Sequence, residues 1–207
     1  MVTHVLRVKD NMNVIEEIYD NINKHMDSGK ACQIPQAIRP LPWDIVVKHL
    51  QECADEKYAG TPNGILSYQL NEAEEIPEIK VAMDEFNDHL NLKIFDAHIF
   101  TSFTTTKKNS SKHIDDHNVL IWSLTGNMKV KLYPTMADGE EPFYNEEFGK
   151  GDLVFIPADM PHEIEPTGAR ALVSFGIEVE PGKNYKRELT NPYIKKGMNN
   201  ESKEESK

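Results

Sequence analysis

The chain has 207 residues, 39% hydrophobic and 28% charged, a balance that excludes a disordered chain and gives length for one real core. No apolar run approaches the length of a bilayer-crossing helix, so a membrane protein of that kind is excluded. The formal net charge of −11 repels phosphate backbones and argues against nucleic acid as a partner.

The opening stretch MVTHVLRVKDNMN has no apolar core and no small-residue cleavage site, so it reads as lacking a secretory signal. A cytoplasmic location is expected. Val14, Ile15, Ile18, Tyr19 and Ile22 recur at helical spacing, with Asn11 or Asn13 as cap and Gly29 as terminator. After the Pro-rich IPQAIRPLP a second helix is predicted from Trp43, through Val46, Val47, Leu50 and Cys53, stopping before Gly60. ILSYQL (65–70) reads as a strand. A third helix is predicted after Ile76-Pro77, with Ile79, Val81, Met83, Phe86 and Leu90 on a broad apolar face. The two cysteines, Cys32 and Cys53, form no metal-type pair and read as reduced, buried or half-buried thiols.

From Lys93 the period changes. KIFDAHIFTSF, NVLIWSL, MKVKLY, EEPFYNEEF, DLVFIP and RALVSFGIEV are short β-branched or aromatic runs separated by Gly, Asn, Pro and Asp. That spacing is typical of an all-β barrel or sandwich. Helices first and strands later imply an α+β chain. No repeat or linker divides the halves, so residues 1–180 are expected to form one domain. Residues 1–92 would be mainly helical and pack outside a β-barrel core of residues 93–180. The remainder, 181–207, reads as a C-terminal extension and a disordered tail: KKGMNNESKEESK is polar, charged and free of aromatics. Leu120, Trp122 and Leu124 form one face of their strand and are expected to pack against the helices, opposite Val119, Ile121 and Ser123.

Two stretches carry chemistry: KHIDDHNVLIWSLTGNMKVKLY (112–133) and GKGDLVFIPADMPHEIEP (149–166). His113 and Asp115 are two apart, so an extended backbone aims both at one side. Pro157 to Pro161 make a turn that delivers His162. Two imidazoles and one carboxylate on one side of a metal leave the opposite positions open, the facial arrangement of non-haem Fe(II) oxygenases. His117 shares the parity of His113 and reads as a neighbour of the metal ligands or a surface residue rather than a ligand. His98, in FDAHIFTSF, reads either as a satisfied core histidine or as one that lines the barrel. Lys107, Lys108, Lys112, Lys129 and Lys131 read as solvated strand and loop lysines.

These residues resemble the cupin superfamily. Its second motif runs Gly, five residues, Pro, one residue, Gly, two residues, His; here Gly151, Pro157 and His162 match, with Asp159 in place of the inner Gly. His113, Asp115 and Gly126 match the first motif, without the Glu that many cupins place between them. The His-x-Asp variant followed by VLIWSLTGNMKVKLY is similar to the Jumonji-C branch, over roughly residues 93–180. The resemblance implies a double-stranded β-helix, a cupin or jelly-roll barrel. It also implies Fe(II) on His113, Asp115 and His162, with 2-oxoglutarate as cosubstrate for hydroxylating a small molecule or protein. A crystal could carry another divalent metal in place of iron.

One position departs from that pattern. Jumonji-C relatives usually place Lys two residues after the hairpin Gly to hold the distal carboxylate of the cosubstrate. Met128 stands there, with Val130 and Leu132 on its face and Lys129 and Lys131 on the other. Two cations remain as candidates: Arg170, eight residues after His162, and Lys129, which needs a bulge to reach inward. Ser174 on the strand of Arg170, and Ser110 before His113, could add hydroxyls. Three functions stay open: a 2-oxoglutarate dioxygenase, a cupin metalloenzyme without a 2-oxo acid, and a non-catalytic cupin module. The chain leaves room for a homodimer through its helices or an edge strand.

Overall fold

Helix ends and hairpin turns set this architecture, and each has a local cause. In the computed structural model, which describes residues 12–55, 67–90, 92–103 and 111–179, α1 spans Met12–Ser28. Gly29 ends it at φ 61°, donating its N–H to Met26 O while Lys30 N reaches His25 O, the paired bonds of a left-handed helix cap. α2 spans Trp43–Asp55. α3 spans Pro77–Leu90 and has Pro at its first position, where no intrahelical donor is needed. All three helices lie where the apolar spacing predicts them. Among the described residues no helix is long and apolar enough to cross a membrane.

The strands are β1 (Cys32–Ile34), β2 (Ser67–Leu70), β3 (Ile94–Ser102), β4 (Asn118–Thr125), β5 (Met128–Leu132), β6 (Tyr144–Phe148), β7 (Leu153–Ile156), β8 (His162–Pro166) and β9 (Arg170–Ile177). They form two antiparallel sheets, ordered β1-β7-β4-β9-β3-β2 and β6-β5-β8. The architecture is the α+β cupin-type barrel of the double-stranded β-helix kind, with the helices on the outside.

The larger sheet is buried on both faces, and strand alternation sorts its side chains. Leu120, Trp122 and Leu124 face outward and join Ile22, Ile79 and Phe86 of the helices in one core. Phe86 meets Phe175 edge to face, with ring centroids 5.6 Å apart. Val119, Ile121, Val154 and Leu172 face inward and meet Met128, Val130 and Ile164 of the smaller sheet in a second core. Each such side chain taken fully from water contributes about 2 kcal/mol, so the sheet is fixed from both sides.

Three turns bring the motif residues into place. Gly126 closes the β4–β5 hairpin at φ 74°, and a Cβ there would lie 2.1 Å from Ala169 O and 2.8 Å from Arg170 Cα. Gly151, at φ 88°, lies close against Ile38 O, which a Cβ would approach to 2.8 Å. Asp159, which replaces the inner Gly of the second motif, sits at φ 61°. The backbone conformation that glycine usually supplies is therefore kept, because Asp is among the few residues that tolerate it. Ser110, Lys107, Lys108 and the tail of 181–207 lie outside the described residues, as do Asn11 and Gly60.

Candidate metal centre and its cavity

His113 and Asp115 do not lie on a regular strand. Residues 111–117 are irregular, with His113 held by a single bridge: its N–H reaches His162 O at 3.0 Å, and His162 N reaches His113 O at 2.9 Å. The carbonyl of Asp115 accepts from Asp159 N at 2.8 Å, which ties the first motif to the positive-φ turn of the second. The outcome expected from strand parity is reached by this clamp instead.

Both imidazoles are oriented the same way. His113 Nδ1 lies 2.9 Å from Ser111 O, and His162 Nδ1 lies 2.9 Å from Met160 O. A carbonyl only accepts, so each Nδ1 carries the proton and each Nε2 presents its lone pair to the centre. Asp115 completes the group: His162 Nε2 is 3.4 Å from its Oδ2, and His113 Nε2 is 3.9 Å from its Oδ1. The donor atoms of the three lie within 4.8 Å of one another. Burial, then the neighbouring His113, hold the pKa of His162 below the usual imidazole range, which keeps it the neutral ligand a metal needs. A divalent ion takes such donors at about 2.1 Å, so the three groups would draw closer around it. Among the described residues this is the one group of three or more such donors.

The triad lines a cavity of about 520 Å³, within the range that holds a small cosubstrate and part of a substrate. Its long wall is the β3–β9 pair, whose inward positions face each other in register: Ser102 with Arg170, Phe100 with Leu172, His98 with Ser174, Asp96 with Gly176. Arg170 marks one end and Asp96 the other, six strand residues apart, or about 20 Å.

Arg170 is 3% exposed, yet no described residue neutralises it. Its Nη1 approaches the thioether sulfur of Met128 at 3.9 Å, its Nε has no hydrogen-bond partner, and among the described residues no carboxylate forms an ion pair with it. Burial pushes its pKa down to about 10, which leaves it a cation at neutral pH. A buried, unpaired guanidinium is costly and calls for an anion. Those are the terms a dicarboxylate cosubstrate would meet, so the residues present fit it as well as the metal.

The other candidates fall as follows. Ser174 lies in the cavity wall. Lys129 faces away: its register partners are Glu147 and Glu165 on the outer face of the smaller sheet, while Met128, Val130 and Leu132 are buried inward. No bulge in β5 turns it inward, so the structure does not bring Lys129 to the cavity. Lys131 shares its face and is bridged to Glu165 and Glu163 at 2.5 and 3.6 Å. His117 lines the wall outside the donor group, hydrogen-bonded to Asp116 at 2.9 Å with its ring against Phe95. His98 also lines the cavity, held by Asp96 at 3.3 Å. Asp96 and Gln69 are wall residues that the motif reading passed over. Parity with His98 along β3 was the signal that could have found Asp96.

No family model matches the chain, and no curated protein matches it by sequence. Solved structures do match in shape. The X-ray structure of Escherichia coli YcfD superposes with a TM-score of 0.66 at 16% identity, over 90% of this chain and 60% of YcfD. YcfD described as a ribosomal oxygenase in complex with cobalt and 2-oxoglutarate gives 0.64 at 18% identity, over 88% of this chain and 56% of that one. The YcfD complex with cobalt and succinic acid gives 0.65 at 17% identity, over 82% and 56%. The chain thus spans under two thirds of the length of these neighbours. At such identity the likeness establishes the fold alone, a cupin-type jelly-roll barrel.

Proposed function

We propose that this protein is a non-haem Fe(II)/2-oxoglutarate dioxygenase that hydroxylates a small molecule or a protein side chain. The observation that carries the reading is the buried guanidinium of Arg170, which forms no ion pair among the described residues and faces the same cavity as the triad. A metal site alone would suit any cupin metalloenzyme. A buried cation in the same cavity adds a demand for an anion, and a 2-oxo dicarboxylate meets both demands with one molecule.

Iron, 2-oxoglutarate and O2 together supply oxidative decarboxylation coupled to hydroxylation, in which a C–H bond, the oxo acid and O2 give an alcohol, succinate and CO2. The chain does the rest. His113, Asp115 and His162 hold the metal on one side, and the Ser111 and Met160 carbonyls fix the two imidazole tautomers. Arg170 holds the distal carboxylate, with Met128, Val130 and Leu172 excluding water around it. Asp96, His98, Gln69 and His117 leave a polar side to the cavity for the substrate. That YcfD is described with cobalt, 2-oxoglutarate and succinic acid supports the same reading.

The test is turnover. Fe(II)-loaded protein is expected to consume O2 and form succinate from 2-oxoglutarate in equal amounts, slowly without a prime substrate and faster with it. The reading fails if the loaded protein neither binds 2-oxoglutarate nor forms succinate with any substrate tried.

A further inference from the structure

The end of the cavity away from Arg170 is shaped by one irregularity in β3. Ala97 and Ile99 of this strand pack outward into the helix-side core, and so does Ile94, three residues before Ala97. Strict alternation forbids that spacing. A β-bulge resolves it: Ile94 pairs with Ile177 and Asp96 with Gly176, so β3 advances two residues for one of β9. Phe95 and Asp96, neighbours in sequence, therefore both turn towards the cavity side.

Gly176 gives them room. A Cβ on it would lie 2.3 Å from Asp96 Oδ1 and 2.8 Å from Phe95 Cζ. Its N–H donates to Asp96 Oδ1 at 3.1 Å, and His98 Nε2 lies 3.3 Å from Oδ2. The carboxylate is held in place yet 32% exposed, and among the described residues no Lys or Arg pairs with it. Lys93, the nearest lysine in sequence, is bridged to Glu178 instead. Phe95 stays 46% exposed beside it, its ring T-shaped against that of His117 with centroids 5.2 Å apart.

We propose that Asp96 is a specificity-determining residue that, with the ring of Phe95, takes a positively charged nitrogen of the prime substrate, an alkylammonium or alkylguanidinium group. The inference rests on the dioxygenase reading and names a substrate class for it. A carboxylate already fixed by a backbone N–H loses little freedom on pairing, and an aromatic ring beside it attracts the same cation. The net charge of −11 draws cations towards the chain. Val119 and Ile121, also in the cavity wall, suit the hydrocarbon stem of such a group.

The experiment uses the full chain loaded with Mn(II) and 2-oxoglutarate, with O2 excluded so that no turnover occurs. The probes are n-butylammonium, n-butylguanidinium and n-butylurea, the last a neutral analogue of the second. Binding is read from the proton NMR relaxation of each probe, which Mn(II) enhances for a molecule held in its cavity. Both cations are expected to bind at least about 5-fold more tightly than n-butylurea. Asp96→Asn keeps an acceptor for the Gly176 N–H but removes the charge, and should bring the ratio to within about 2-fold of unity. Gly176→Ala drives a methyl group onto Asp96 Oδ1 and should weaken cation binding by about 3- to 10-fold. Phe95→Leu should lower the ratio about 2- to 3-fold. A capped pentapeptide with a central arginine distinguishes the sources of the cation. Binding tighter than that of n-butylguanidinium points to a protein side chain and weaker binding to a small molecule, and either supports the cation site.

The failures are distinguishable. If cations and n-butylurea bind wild-type protein alike, or no cation binds at about 10 mM, the proposal is overturned. If Asp96→Asn keeps the preference, Asp96 is not the anchor, and the dioxygenase reading still stands on succinate formation. An unchanged ratio in Phe95→Leu removes Phe95 from the site. If the loaded protein does not bind 2-oxoglutarate, the dioxygenase reading fails, and the probes run with Mn(II) alone still report on Asp96. Should a variant fail to fold, the wild-type ratio decides.

Discussion

The two ends of the cavity are built on opposite terms. At the metal end every group has a neighbour: each Nδ1 has a carbonyl, the two histidine backbones clasp each other, and Asp115 faces both Nε2 atoms. At the other end Arg170 is buried against a thioether, with no counter-charge among the described residues. The first end is arranged before its ligand arrives, at little cost to the fold. The second holds an electrostatic demand that the described part of the fold does not answer. Motif spacing alone points to the first end as a candidate metal site. Only the second bears on the cosubstrate proposed for it.

Breaking the metal end should give the largest effect. His162→Ala removes a ligand, and Mn(II) affinity by calorimetry is expected to fall more than about 100-fold, beyond what loss of an outer hydrogen bond would do. Retained affinity would mean the triad is not the site. The outer core offers the contrast. Trp122→Ala, at a fully buried position against the helices, should cost about 3–5 kcal/mol in urea unfolding while leaving metal affinity of the folded protein unchanged. A matching loss of metal affinity would show that the two faces of β4 are not separable.

Smaller effects sharpen the comparison. Gly126→Ala places a Cβ against Ala169 O at a positive φ, so a loss of about 1–3 kcal/mol is expected, together with weaker 2-oxoglutarate binding. Intact cosubstrate binding would detach the hairpin from the anion end. The pH dependence has a definite sign. His162 has a depressed pKa in the folded protein, so below about pH 6.5 the unfolded chain takes up a proton that the native state resists. Metal-free stability should hold above that pH and fall as pH drops towards the folded pKa, by at most about 1.4 kcal/mol per unit from this group. Urea melts at pH 7 and pH 5.5 check it, and a rise in stability on acidification contradicts it. Smallest of all, Asp159→Gly should stay within about 1 kcal/mol of the wild type, because glycine suits the φ of 61°, whereas Asp159→Val should be clearly worse.

Much of this was legible in the sequence, and the exceptions have physical causes. The inward and outward faces of β4 and β5 follow from strict alternation, which placed Trp122 against the helices and Lys129 outside. Spacing brought His113, Asp115 and His162 into one proposal. β1 was not visible, because three residues with no pattern become a strand only through pairing with β7. β8 was hidden as well: HEIEP alternates, but its outward positions are both Glu, which propensity counts against a strand. The irregular backbone of residues 111–117 could not be read from parity, since the clamp with His162 is a long-range contact. That no described residue forms an ion pair with Arg170 is likewise invisible in sequence, because the placing of counter-ions depends on long-range packing.

The most direct measurement is a crystal structure of the full chain with Co(II) and 2-oxoglutarate. The account expects the metal at about 2.0–2.2 Å from His113 Nε2, His162 Nε2 and one Asp115 oxygen, the oxo acid chelating it, and the distal carboxylate within hydrogen-bond distance of Arg170. A metal elsewhere, or a cosubstrate whose distal carboxylate leaves Arg170 unpaired, would contradict it.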